Sequence, residues 1–456
     1  MKNNTAKTRS LVEENIRTLI PRMAVPTIVA QMITTIYNLV DTYFVSTLGT
    51  AATAAVGVNS SLERLITIIG SLIGSGACSY IARLLGGKKD KDADRVLSTA
   101  FLTGLGLGVL LMAAGRLLME PMVYWLGATP DCADYAMQYA NYVLYAAPFM
   151  IGSFILNMCL RSEGSATFAM IGIGFGGILN CILDPIFIYH LGLGVAGAAM
   201  ATAISKAISF FILLWPYLRR RTSVSIALRL FRLVSRDVKE VLAIGSSSFF
   251  RSTLTVAAAI AVNRVAGRYS TSALAGLSVA TRVMAFPFAL VLGFGQGYQP
   301  VVSYNWGAAQ WKRVRESFEF SIATALIGAA VVGAALAVFA RPAVNLFNKQ
   351  ADAEVLRLGM LSIRLQALAL PVHALGVVVG MFYAGTGNAR AALVVNTARQ
   401  GYCFFPMLLI LPLFMGINGV ASAQAAADVL SGLVTGPLAL KARRIVLGKD
   451  TAGKTE

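Results

Sequence analysis

From Met23 to Ile36 the chain carries no charged residue, and long stretches nearly as apolar recur along its whole length. In lipid each backbone N–H and C=O must be satisfied inside the segment, so only helices and closed barrels cross a membrane. The apolar stretches show no period-two alternation, which counts against a barrel. Only 13% of the residues are charged and 57% are hydrophobic, with mean hydropathy +0.69, whereas soluble domains carry about 25% charged residues. A spanning helix needs ~20 apolar residues. The expected fold is therefore an all-α polytopic membrane protein. About twelve spans are predicted, at roughly 18–44, 54–82, 94–119, 134–160, 165–189, 195–218, 239–264, 271–300, 316–340, 355–384, 390–413 and 418–440.

The net charge of +18 is not spread evenly. Basic residues gather in alternate loops, at Arg83–Arg95, Arg161, Arg219–Lys239, Lys312–Arg315, Arg390 and Lys441–Arg444, while LGTAAT, YHLGLGVAG and MGINGV contain none. Such alternation sets membrane orientation. It predicts a multi-pass protein of the inner (plasma) membrane with both termini cytoplasmic, and membrane lipid rather than nucleic acid as the partner. The first 22 residues are polar and basic, unlike a cleaved signal peptide. Cys78, Cys132, Cys159, Cys181 and Cys403 mostly fall inside apolar runs with no CxxC, so they read as packing residues.

The polar stretch from Arg219 to Lys239 divides the chain into near-equal parts. The predicted organisation is a first lobe at 1–218, a basic cytoplasmic linker at 219–238, a second lobe at 239–446 and a tail at 447–456. The two parts resemble each other. SGACSYIARLLGGKKDKDADR pairs with GQGYQPVVSYNWGAAQWKRVRE, RSEGSAT with AGTGNAR, and GVAGAAMATA with GINGVASAQA, each at a matching place. Parallel repeats with a site at their interface are a transporter design. Two six-helix lobes from one chain suit a functional monomer.

Acids at membrane depth are expensive, and so mark function. Asp41 lies in TIYNLVDTYFV and Asp184 in GILNCILDPIF. Tyr37 precedes Asp41 by four residues and Asn180 precedes Asp184 by four, so each pair shares a helix face. Pro185 weakens the helix beside Asp184, and Thr202 lies on the next span. Together they predict a polar nest able to hold a proton or a hard cation. Pro26, mid-span in the first helix, is either a static kink or a hinge. Glu63 and Arg64 are adjacent and do not face each other. They are given no part in the nest.

The second half differs. Arg251, Arg282, Arg364 and Arg399 fall inside predicted spans, with Asp428 the one acid clearly at depth. Either the arginines bond carbonyls or Asp428 or snorkel, or Arg251, Arg282, Arg399 and Asp428 form part of a second-lobe cavity suited to acidic or zwitterionic cargo. GIGFGG and GLGLG sit within spans and read as close helix packing. His190 and His373 read as structural.

IYNLVDTYFVSTLGTAATAAVG, ILNCILDPIFIYHLGLGVAGAAMATAIS and SYNWGAAQWKRVRESF resemble the multidrug and toxic compound extrusion (MATE) family, over residues from about 15 to about 440. The resemblance implies two six-helix lobes about a cavity that opens alternately to each side. It implies a coupling site at Asp41, Asn180, Asp184 and Thr202, with Tyr37 and Tyr139 close by. Asn157 would face the first-lobe cavity and Pro26 would be the bending point. It also implies export of small amphipathic organic compounds driven by proton or sodium entry, with no cofactor beyond the transported ion. Family members that couple through the second lobe use acids on the seventh and tenth spans. Here span seven reads GSSSFFRSTLTVAAA, with Arg251 and no acid. The alternative is a flippase for lipids or lipid-linked saccharides. A membrane enzyme finds little support, since no HExxH occurs.

Overall fold

The computed structural model describes residues 11–347 and 352–452. The first ten residues of the predicted first lobe and residues 453–456 of the predicted tail lie outside the described residues. The chain is all-α. Its first half comprises α1 (Ile16–Ser46), α2 (Thr50–Gly86), α3 (Asp90–Leu117), the short α4 (Met119–Trp125), α5 (Pro130–Ser162), α6 (Ala166–Pro185) and α7 (Gly194–Leu218). The second comprises α8 (Ser235–Gly267), α9 (Thr271–Gly307), α10 (Trp311–Val338), the short α11 (Ala340–Asn345), α12 (Ala353–Thr386), α13 (Ala389–Ala398), α14 (Phe404–Met415) and α15 (Ile417–Ala452). Among the described residues, 11 helices are long and apolar enough to cross a membrane.

The predicted span at 390–413 is not one helix but two, α13 and α14, separated by residues 399–403. Gly401 occupies this break. A Cβ there would lie 2.5 Å from the Thr397 carbonyl oxygen, so a larger residue would have to open the turn. Beyond α6 the backbone widens into a single π-helical turn at Ile186–His190, directly after Pro185. The missing proline N–H had predicted weakness at this point.

Each half has its own core. Residues between Val45 and Val241 make one apolar cluster, and two further clusters draw only on residues between Ala258 and Ala427. Helix α1 is the exception. Its start, through Leu19, Ile20 and Met23, packs in a cluster with second-half residues such as Tyr298, Val302 and Val378. Its far end, through Ile33 and Tyr37, rests on Gly174 and Gly177 of α6. Pro26 and Thr27 mark the handover. The Thr27 hydroxyl donates across the halves to the Gly293 carbonyl of α9 at 2.5 Å. A Cβ on Gly293 or Gly297 would collide with the backbone of Ile28 or Ala24. Small residues admit such close helix contact in membranes.

The other contacts between halves also lie at the end bearing the basic loops. Helix α2 meets α8 where Gly76 faces Val241 and Gly245 faces Leu72, with no room for side chains between. The Ser79 hydroxyl donates to the Ala384 carbonyl at 2.5 Å. Arg161, expected in a basic loop, is instead 2% exposed and donates to Gln296 of α9 at 2.5 Å. The linker is pinned as well. Backbone N–H groups of Ser223 and Ser225 donate to Glu163 and Asp94 at 2.5 and 2.6 Å. Arg95 pairs with Asp237 at 2.8 Å, and Arg83 with Glu240 at 2.9 Å.

Candidate functional site

Five helices of the first half bring polar side chains together at membrane depth. Helix α6 presents Asn180 and Asp184 on one face, and the Asn180 amide donates to Asp184 Oδ1 at 3.2 Å. The same amide reaches Thr202 Oγ1 of α7 at 3.3 Å. Asp184 is 0% exposed and Asn180 3%. Asp41 of α1 lies close enough for its charge to act on Asp184. The two acids, far apart in sequence, therefore share one site. Tyr139 of α5, fully buried, is within electrostatic reach of both.

Several oxygens here have no donor. Asp41 Oδ1, Asp184 Oδ2, Asn180 Oδ1 and the Ser205 hydroxyl are buried without a hydrogen-bond partner. Buried acceptors are normally paired, and leaving one unpaired costs about 1–3 kcal/mol, more for a charged group. A cluster of such oxygens is an arrangement that a proton or a cation completes.

Two members were absent from the expected set. Glu63 of α2 had been set aside because its neighbour Arg64 cannot face it. The structure turns Arg64 to the exterior and Glu63 toward the nest, where the Tyr139 hydroxyl approaches Glu63 Oε1 at 3.5 Å. Lys206 lies on α7 one turn beyond Thr202. Its ammonium donates to the Tyr37 hydroxyl at 2.7 Å and lies 4.6 Å from the centroid of the Tyr37 ring. A lysine near the middle of an apolar span was itself the available signal. Asn157, by contrast, is tied by its amide to a neighbouring helix. It is 1% exposed and donates to the Ala169 carbonyl at 2.8 Å, tying α5 to α6.

The second-half residues separate. Arg399, in the break between α13 and α14, donates to Asp428 Oδ1 of α15 at 2.6 Å, and Gln424 adds a bond to the same oxygen at 3.1 Å. Arg399 also lies over the Phe288 ring at 4.2 Å, and His373 meets that ring edge-on. Arg251 of α8 is half-buried, with Nη1 enclosed and unbonded. Arg282 of α9 is exposed. It precedes Gly293 by three helical turns and therefore lies on the α9 face that meets α1 further down. Arg364 bonds the Ala337 carbonyl, as the structural alternative supposed.

Comparison with known proteins agrees with this architecture. The MatE family model matches residues 26–186 and again 248–410. The multidrug export protein MepA of Staphylococcus saprophyticus is 25% identical over 411 residues, 90% of each chain. A structure of a multidrug resistance MATE family transporter of the MOP superfamily, in the outward-facing conformation, superposes with TM-score 0.90 at 26% identity, covering 97% of this chain and 98% of that one. A MOP superfamily transporter from Pyrococcus furiosus Vc1, for which reverse polarity of the binding pocket suggests a different function, superposes with TM-score 0.89 at 26% identity over 97% and 98% of the two chains. A family model that fits each half in turn, with the acid pair in the first, shows that the chain belongs to the MATE (MatE) family of membrane transporters.

Proposed function

We propose that the protein is an antiporter of the inner membrane that exports small amphipathic organic molecules in exchange for a cation entering through the first-half nest. The basic loops and both termini face the cytoplasm in this reading. The halves are then closed on the cytoplasmic side and the structure corresponds to the outward-open state. The moving bodies are residues 1–218 and 239–446, joined by the linker at 219–238, and one chain suffices. The observation that carries the proposal is the group of buried oxygens without donors on Asp41, Asn180 and Asp184.

A proton, or a sodium ion at the same oxygens, enters from outside and removes the mutual repulsion of the carboxylates. The nest contracts. Helix α1 is held to α9 before Pro26 and to α6 beyond it, so contraction bends it at that proline and expels cargo outward. Inward-open, the cation leaves to the cytoplasm and cargo binds again. One charge crossing the membrane is worth ~2.3 kcal/mol per 100 mV, enough for roughly fiftyfold accumulation.

The test is uphill export of ethidium from proteoliposomes under imposed proton and sodium gradients, with Asp41→Asn and Asp184→Asn beside wild type. Carboxamides cannot take up the ion as a charge neutraliser, so both variants should export no more than empty liposomes. Undiminished uphill export by both would overturn the assignment.

A further inference from the structure

The nest carries three acids, Asp41, Glu63 and Asp184, and its own cation, Lys206. The groups within reach of that ammonium are Tyr37 and Asp41 of α1 and Glu63 of α2. Tyr139 of α5 adjoins Glu63, and the Asn180–Asp184 pair of α6 adjoins Asp41. Arg64, next to Glu63, points outward. Lys206 makes its short contact with the Tyr37 hydroxyl and ring rather than with a carboxylate. It nevertheless acts electrostatically on both Asp41 and Glu63. A cation in this position favours ionised carboxylates and repels a second full charge brought among them.

We propose that Lys206 is the specificity-determining residue of this site: its ammonium is a resident counter-ion that balances the carboxylates in the unloaded state, so that the nest takes up protons and turns away sodium. The proposal rests on the exchange reading above and chooses between the two ions it allows. A proton needs one lone pair, and Asp41 Oδ1 and Asp184 Oδ2 each offer one. A bare hard cation needs several oxygens converging on a point. Tyr37, one helical turn before Asp41 on α1, has its oxygen turned to Lys206 and is withheld from such a set while the ammonium is present. Protonation also leaves the ammonium with fewer negative neighbours. Loading therefore weakens the charge attraction between Lys206 of α7 and Asp41 of α1, the same helix that must bend.

The experiment is equilibrium binding of radioactive sodium ion to purified full-length protein at pH 7.5. It compares wild type, Lys206→Met, Lys206→Arg and the double variant Lys206→Met/Asp41→Asn. Wild type and Lys206→Arg should bind no sodium at millimolar concentrations. Lys206→Met should gain sodium affinity by at least about tenfold, and the double variant should lose it again. Millimolar sodium binding by wild type overturns the proposal and needs no variant to fold. So does a monodisperse Lys206→Met that binds sodium no better than wild type. Because binding is read without pumping, this result is separable from the export test: failure of the Asp41 and Asp184 assignment shows in export, failure of the Lys206 assignment in sodium affinity.

Discussion

The two halves treat buried acids in opposite ways. In the second half Asp428 is fully enclosed, with both oxygens engaged by Arg399 and a further bond from Gln424. In the first half one ammonium serves Asp41 and Glu63, and Asp41 and Asp184 each keep an oxygen with no donor. A saturated acid holds helices in place, and changing its charge breaks structure. An under-satisfied acid has somewhere to put an arriving cation, and in the proposed exchange changing its charge is its role. The same architecture, used twice, thus carries a clamp in one half and the proposed exchange site in the other.

That contrast can be broken by stability measurements, and the largest effect is expected at the clamp. Asp428→Asn leaves the Arg399 guanidinium buried without its counter-charge. Loss of one member of a buried pair costs about 3–5 kcal/mol, to be read from unfolding in detergent. The double change Arg399→Met/Asp428→Leu should recover most of the loss. Asp41→Asn, expected to abolish export, should unfold within about 1 kcal/mol of wild type. If Asp41→Asn proved the more destabilising of the two, the clamp and the exchange site would have to trade places.

A smaller effect sharpens the comparison from the other side. Arg251 is the charged group of the second half with a buried, unbonded atom among the described residues, and Arg282 stands exposed on α9, three turns before Gly293. Arg251→Gln and Arg282→Gln should lower export of rhodamine 110, which bears a carboxylate, by about tenfold relative to its methyl ester, equivalent to ~1.4 kcal/mol of lost charge-assisted bonding. Equal loss for both dyes would leave these arginines a structural role only.

The smallest effect belongs to Asp352, a surface acid with full partners at the start of α12. It accepts from the Ser272 hydroxyl at 2.5 Å and from the Glu354 N–H at 2.8 Å. The Ser272 bond and then the Glu354 N–H hold its carboxyl below the ordinary carboxylate value. A depressed carboxyl contributes stability above its ordinary pKa, and the contribution is lost as pH falls through the depressed value. Asp352→Ala should therefore lower the melting temperature by no more than about 2 °C at neutral pH, and the difference from wild type should vanish in strong acid.

Much of this was legible beforehand. Tyr37 with Asp41, and Asn180 with Asp184, announced themselves by four-residue spacing within apolar runs; Asn180 bonds Asp184, and Asp41 acts on Asp184 across the nest. Lys206 stood one turn after Thr202 and was open to the same reasoning. Glu63 was not, because Arg64 beside it offered a local explanation that only the rotation of α2 removes. The bond from Asn157 to the Ala169 carbonyl was not legible, because a buried asparagine bonding a neighbouring helix and one lining a cavity look identical in one dimension. The span at 390–413 contains Arg399, Gln400 and Gly401 in succession, a polar and glycine interruption that marks the break between α13 and α14.

The amino-acid order by itself determined that this chain lies in a membrane, that its crossings are helices, that its basic loops share one side and that its halves repeat. Lipid cannot bond to a backbone, and charge at depth is costly, so these properties follow from local composition alone. Tertiary packing decided the rest: that α1 is divided between the halves at Pro26, that Arg399 saturates Asp428, and that Lys206 and Glu63 join the acids of the first half. Those outcomes depend on which helix faces touch. Apolar surface drives no choice among helices already in lipid, so the choice falls to close contacts between small residues such as Gly76, Gly245 and Gly293, whose partners lie far away along the chain.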